Sequence, residues 1–164
     1  MAAKAEQRKL RDDELLVERT FDAPLGLVFR LWESRDHMIR WWGPEKFTPV
    51  EMDWELTPGR PWRAAMASTQ FGLSKMGGVV REVEKNKRIV FSFKWDADSG
   101  EDMDTVVTVT FAEKDGKTVQ SFHQTPFSSV AARDSHVGGW NSLFNKQKIY
   151  VENIAVAEQK GFRA

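Results

Sequence analysis

Few residues in this chain have the type and spacing to do chemistry. The histidines are His37, His123 and His136, far apart in sequence, and there is no cysteine. Zinc sites usually show Cys or His ligands in close local pairs, so no metal site is expected. Without cysteine there are no disulfides and no thiol nucleophile. No Gly-x-Ser-x-Gly elbow surrounds a serine. Neither Gly77-Gly78 nor Gly138-Gly139 leads into the Lys-Ser/Thr of a phosphate loop, so no cofactor is expected.

Acid–base work remains open, because one polar group in an apolar pocket, its pKa shifted by burial, can suffice. His123 is the first candidate, on a strand (118–125) whose inward face the pattern leaves ambiguous. His136 stands one helical turn before Trp140 and shares its face. Glu51 and Asp53 flank Met52 and are expected in solvent. The richer resource is aromatic: 7 Trp and 11 Phe against 1 Tyr. Rings with so few phenol hydroxyls read either as a ring-filled core or as the walls of an apolar cavity.

The elements that must hold these rings follow from periodicity. "ELLVERTF" reads as a first strand. In "DAPLGLVFRLWES", Leu27, Val28, Leu31 and Trp32 recur at helical spacing, with Pro24 at an early helical position. "RDHMIRWW" reads as a second short helix, stopped by Gly43-Pro44. Two adjacent indoles cannot share one helix face, so Trp42 is expected to turn toward the cavity and Trp41 toward the helices.

From Phe47 the period becomes two. Val50, Met52 and Trp54 share a face, as do Trp62, Ala64 and Met66. Further on, Ile89, Phe91, Phe93 and Trp95 form one such face, and Thr105, Val107, Val109 and Phe111 another. Asp115-Gly116 is a strong hairpin signal. After Pro126 the period returns to 3.6: Val137, Trp140, Phe144, Val151 and Ile154 mark one long helix from the 130s to about 157, its stripe interrupted by Gln147. Gly138-Gly139 near its start lets another backbone or a ligand come close.

Residues 1–13 are charged with both signs and are expected to be a flexible lead-in to one domain over 14–164. Lys+Arg and Asp+Glu both total 24, so the basic excess typical of nucleic-acid binding is missing. No apolar run approaches the roughly 20 residues of a membrane helix, and the N-terminus has no apolar signal core. A cytoplasmic location is the default expectation.

The segments "FDAPLGLVFRLWESRDHMIRWWGP", "GGVVREVEKNKRIVFSFKW", "TVVTVTF" and "GGWNSLF" together resemble the activator-of-heat-shock-protein-ATPase homologue (AHSA-type) family. Ala23-Pro24, Val28-Phe29, Trp41-Trp42-Gly43-Pro44 and Gly139-Trp140 carry the resemblance, which spans roughly 15–157. That family belongs to the SRPBCC superfamily with START-like helix-grip folds. The resemblance implies an α+β fold: a curved antiparallel sheet of about seven strands wrapped around the long C-terminal helix, two short helices after strand one, and a cavity between. One departure is Pro58-Gly59-Arg60-Pro61 in place of a Gly-Gly turn, expected to stiffen that turn and alter the cavity rim.

The ligand cavity is therefore expected among Trp42, Met52, Trp54, Trp62, Met66, Phe91, Phe93, Trp95, Val109, Phe111, His123, Trp140 and Phe144, holding a small hydrophobic or aromatic ligand. Two alternatives follow from the resemblance. One is a cyclase-, aromatase- or hydrolase-like enzyme using a polar residue in the cavity. The other is a chaperone-interacting, stress-response module, although 164 residues leave no room for the extra N-terminal domain of the eukaryotic activator.

Overall fold

Period-two alternation becomes seven strands in one antiparallel sheet, in a computed structural model that describes residues 8–163. The chain runs β1 (Leu15–Phe21), α1 (Leu25–Glu33), α2 (Arg35–Met38), β2 (Thr48–Asp53), β3 (Pro61–Ser68), β4 (Gly72–Glu84), β5 (Arg88–Trp95), β6 (Thr105–Lys114), β7 (Lys117–Thr125) and α3 (Val130–Gln159). The sheet order is β1-β7-β6-β5-β4-β3-β2. The two short helices carry the chain from one sheet edge to the other, and five hairpins return it to pair β7 with β1. An antiparallel sheet with one apolar face needs a cover. The curled sheet grips α3, which buries Trp140, Leu143, Phe144, Gln147, Val151 and Ala155. The fold is the expected α+β helix grip.

Local chemistry sets the joints. Ser129 caps α3, its hydroxyl accepting from Ala132 N–H at 3.0 Å. Asp115 and Gly116 both take positive φ, 53° and 78°, as a tight hairpin requires. Gly43, at φ +88°, turns the chain from the helices into β2, and a Cβ there would stand 3.2 Å from Met66 Sδ. Only glycine satisfies both demands.

Three expectations need correction. Val50 does not share the buried face of Met52 and Trp54: a bulge between Pro49 and Glu51 turns it outward, where it is 56% exposed. His123 does not enter the cavity. On β7, Thr118, Gln120, Phe122 and Gln124 point inward, and His123 projects from the opposite face to pair with Glu14 at 3.0 Å. The turn Pro58–Pro61 does not touch the cavity rim: Gly59 N–H donates to the Val80 carbonyl, away from the cleft described below.

Of the leading segment, residues 1–7 lie outside the described residues. The Asp13 carbonyl accepts from Phe127 N–H at 2.9 Å and from the Thr125 hydroxyl at 3.1 Å. The carbonyl of Asp12 accepts from Arg133 at 3.1 Å. The residues just before β1 are thus tied to the start of α3.

Candidate functional site

Beneath most of α3 the rings fill the space. Trp62 is fully buried and packs edge-on against Trp42, Trp54 and Phe91 with centroids 5.7–5.8 Å apart. Phe122 lies 4.3 Å from Trp140 and 5.3 Å from Phe144. Phe111 faces Phe29 of α1 at 5.2 Å. Such packing leaves no room for a guest. Accordingly Met52, Trp54, Trp62, Phe91, Val109, Phe111 and Phe144 are buried but do not line the cleft at the start of α3.

At one end the packing opens into a cleft of about 290 Å³ between the first turns of α3, the Gly43-Pro44 hinge and strands β3 to β5. Trp42, Met66, Phe93, Trp95 and Trp140, all expected in the cavity, line it. Sequence reasoning did not place Pro44, Phe47, Ser74, Met76, Leu143 or the loop residues Ser99, Gly100 and Glu101 there. A polar loop reads as solvent from its composition, and nothing in "DADSGED" shows that it folds back over an indole. The Gly138-Gly139 pair was a usable signal: Gly139 lines the cleft, and a Cβ there would meet only Pro44, at 3.9 Å.

The adjacent indoles divide as two faces of a helical turn must. Trp41 lies 4.8 Å from Trp32 of α1, whereas Trp42 lies 5.6 Å from Trp140 and 5.8 Å from Trp62. Lys146 on α3 secures this hinge, donating to the carbonyls of Trp42 at 3.2 Å and Gly43 at 3.0 Å. Burial holds its pKa below the usual lysine value.

The indole N–H groups of the cleft are engaged within the protein. Trp42 donates to Met76 Sδ at 3.4 Å, Trp140 to Gln124 Oε1 at 2.8 Å and Trp95 to His136 Nε2 at 3.0 Å. His136 Nδ1 lies 2.7 Å from the Ala132 carbonyl, which can only accept, so Nδ1 carries the proton and Nε2 receives Trp95. Both ring nitrogens are occupied, and neither is free to move a proton for a ligand. Among the described residues the one carboxylate on the wall is Glu101.

Gln147, which interrupts the apolar stripe of α3, has a partner inside. Its Oε1 accepts from Gln120 Nε2 at 2.9 Å, and Gln120 Oε1 in turn accepts from Trp32 Nε1 at 3.0 Å. These inward glutamines are why β7 looks ambiguous: its buried face is half polar.

Among the described residues no group of three His, Asp or Glu is placed to hold a metal. No helix among them is long and apolar enough to cross a membrane.

Comparison with solved structures shows the same fold. A protein of Chromobacterium violaceum superposes with a TM-score of 0.79 at 20% identity, covering 87% of this chain and 99% of its own. An AHSA1 protein from Silicibacter pomeroyi gives 0.75 at 22% identity, with 84% and 96% covered. A protein of Mycobacterium smegmatis gives 0.73 at 18%, with 90% and 93% covered. No protein of curated function matches the chain significantly. The family profile described as activator of Hsp90 ATPase homolog 1-like protein matches residues 22–152. That match takes in the hinge, strands β2 to β7 and most of α3, and the chain belongs to this family.

Proposed function

We propose that this chain binds a small apolar or aromatic molecule in the cleft between the sheet and the first half of α3. The observation that carries this reading is an open volume of about 290 Å³ with aromatic and Met walls, beside rings that elsewhere under α3 close on one another. Ligand pockets are typically clefts of about 300–1,000 Å³ with mostly apolar walls and a few polar groups. This one is at the small end, with room for one or two rings. The thioethers of Met66 and Met76 adapt to different shapes. A cytoplasmic setting accompanies this reading.

The test is a plug. Gly139 lies on the wall at an ordinary helical φ, so Gly139→Leu places a side chain in the cleft. Native mass spectrometry and tryptophan-fluorescence titration with small aromatic compounds should show binding to the wild type and loss of it in the variant. Equal binding by both proteins would remove the cleft as the site.

A second reading, docking to a chaperone, is favoured by one surface observation. Phe71 is 59% exposed, stacks on Phe47 at 5.7 Å and neighbours the exposed Leu73 at the cleft mouth. The family's profile description names activation of the Hsp90 ATPase. If this lip docks a chaperone, the protein stimulates purified Hsp90 ATPase and Phe71→Asp abolishes the stimulation. An unchanged ATPase rate with wild-type protein rejects the reading.

A further inference from the structure

We propose that the cleft selects by charge and that its occupant is a small organic cation with an apolar body, a reading that rests on the cleft being the ligand site. Among the described residues the wall has no lysine or arginine, and Glu101 supplies its one carboxylate. Glu101 is exposed and makes no ion pair among the described residues. On α3 the ammonium of Lys146, which is not part of the wall, is engaged by the carbonyls of Trp42 and Gly43.

The donor inventory points the same way. An anion needs N–H or O–H donors to replace its water. Here the indole N–H groups of Trp42, Trp95 and Trp140 and the Nδ1–H of His136 are already donated within the protein, and the Ser99 hydroxyl donates to Asp98 at 3.1 Å, so the wall's remaining side-chain donors are the neutral hydroxyls of Ser74 and Ser135. A carboxylate or sulfonate would therefore exchange its hydration for at most these two neutral hydroxyls, with no N–H from the rings, and lie beside Glu101. A cation has the opposite balance. The ring faces of Trp and Phe are electron-rich and attract ammonium groups, and Glu101 adds a full negative charge at the mouth.

Glu101 is held in place by the fold. Ser99 Oγ accepts from Lys75 N–H at 2.9 Å, and Asp96 N–H donates to the Lys75 carbonyl at 2.9 Å. These bonds fasten the 96–104 loop to β4. Gly100 then lies flat on Trp95: a Cβ at this position would be 2.6 Å from the indole. The loop can approach the ring this closely only because residue 100 has no side chain, and that approach brings Glu101 to the cleft wall.

The experiment uses three compounds of one shape and different charge: benzyltrimethylammonium, neopentylbenzene and benzylsulfonate. Each is titrated against the wild type and Glu101→Gln by tryptophan fluorescence. The expected order in the wild type is ammonium, then neutral, then sulfonate. Glu101→Gln should weaken the ammonium by about two- to fivefold, the scale of one exposed charge pair, and leave the neutral compound unchanged. The ammonium preference should shrink as salt is raised. Binding of sulfonate as tight as ammonium, or an ammonium affinity indifferent to Glu101→Gln, overturns charge selection while the neutral compound still reports a working cleft. If none of the three binds, the ligand-site reading fails and charge selection with it.

Discussion

Two regions of this molecule are built from the same residue types and do different things. Around Trp62, the rings of Trp54, Phe91 and Phe93 close on one another from several sides and leave no room. Around Trp95, only Phe93 and the His136 ring come near, and a loop lies on the indole. Trp62 is fully buried with its N–H on the Ser92 carbonyl at 2.9 Å, while Trp95 is half-buried with its N–H on a histidine. An aromatic residue is core or cavity wall according to how many of its faces find partners, and a composition count does not distinguish the two.

That contrast is open to direct attack. Trp62→Ala removes a ring shared by Trp42, Trp54 and Phe91, and should cost about 3–5 kcal/mol of stability in urea unfolding. A loss below about 1 kcal/mol would mean that this end is as loosely built as the cleft.

Gly78→Ala tests the close approach of β4 to β5. Its Cβ would stand 2.0 Å from the Ser92 carbonyl oxygen. Overpacking against backbone should cost about 1–3 kcal/mol, read in the same unfolding assay.

Gly139→Leu should do the reverse at the open end. Stability should rise by up to about 1 kcal/mol, because leucine favours helix over glycine, while ligand binding disappears. Trp95→Phe keeps a ring in the wall but deletes the N–H donated to His136. Its stability cost should be about 0.5–1.5 kcal/mol, with an altered binding profile as His136 Nε2 becomes free.

The smallest effect belongs to neither region. Glu14, on the outer face, accepts from Arg8, from the Arg11 N–H at 2.7 Å and from His123. These bonds, with the Arg8 contact foremost, hold its carboxyl well below the ordinary value of 4.5. A carboxyl lowered in the folded state stabilises above its unfolded pKa, and that contribution is lost as pH falls toward the folded one. Unfolding followed from pH 5 downward should therefore show acid destabilisation that Glu14→Gln flattens, with ligand binding at neutral pH untouched.

Much of the fold was legible because burial on strands repeats every second residue. Phe91 and Phe93, Val107 and Val109, and Trp62 and Ala64 each sit on the face their spacing predicts. Where a bulge adds a residue, as beside Val50, the count slips by one and no local signal marks it. On β7 the inward Gln120 and Gln124 bond to Gln147 and Trp140, so side chains that look solvated are core. Their partners are distant in sequence, which hides them from any local pattern. The site was half legible for a related reason: periodicity reports which face a ring is on, and it is silent on depth. Phe111 and Trp95 share the alternating pattern, yet one packs on Phe29 and the other borders a cleft.

The sequence by itself determined the family, the order of the elements, the two turns of Gly43 and Asp115-Gly116, and the excess of rings over hydroxyls. These are local properties: propensity, period and backbone freedom act within a few residues. Only the tertiary structure decided where the rings part to leave a volume, that His123 faces away, and that Glu101 reaches its mouth. Each depends on segments far apart in the chain meeting at contact distance, and short-range patterns carry no information about such meetings.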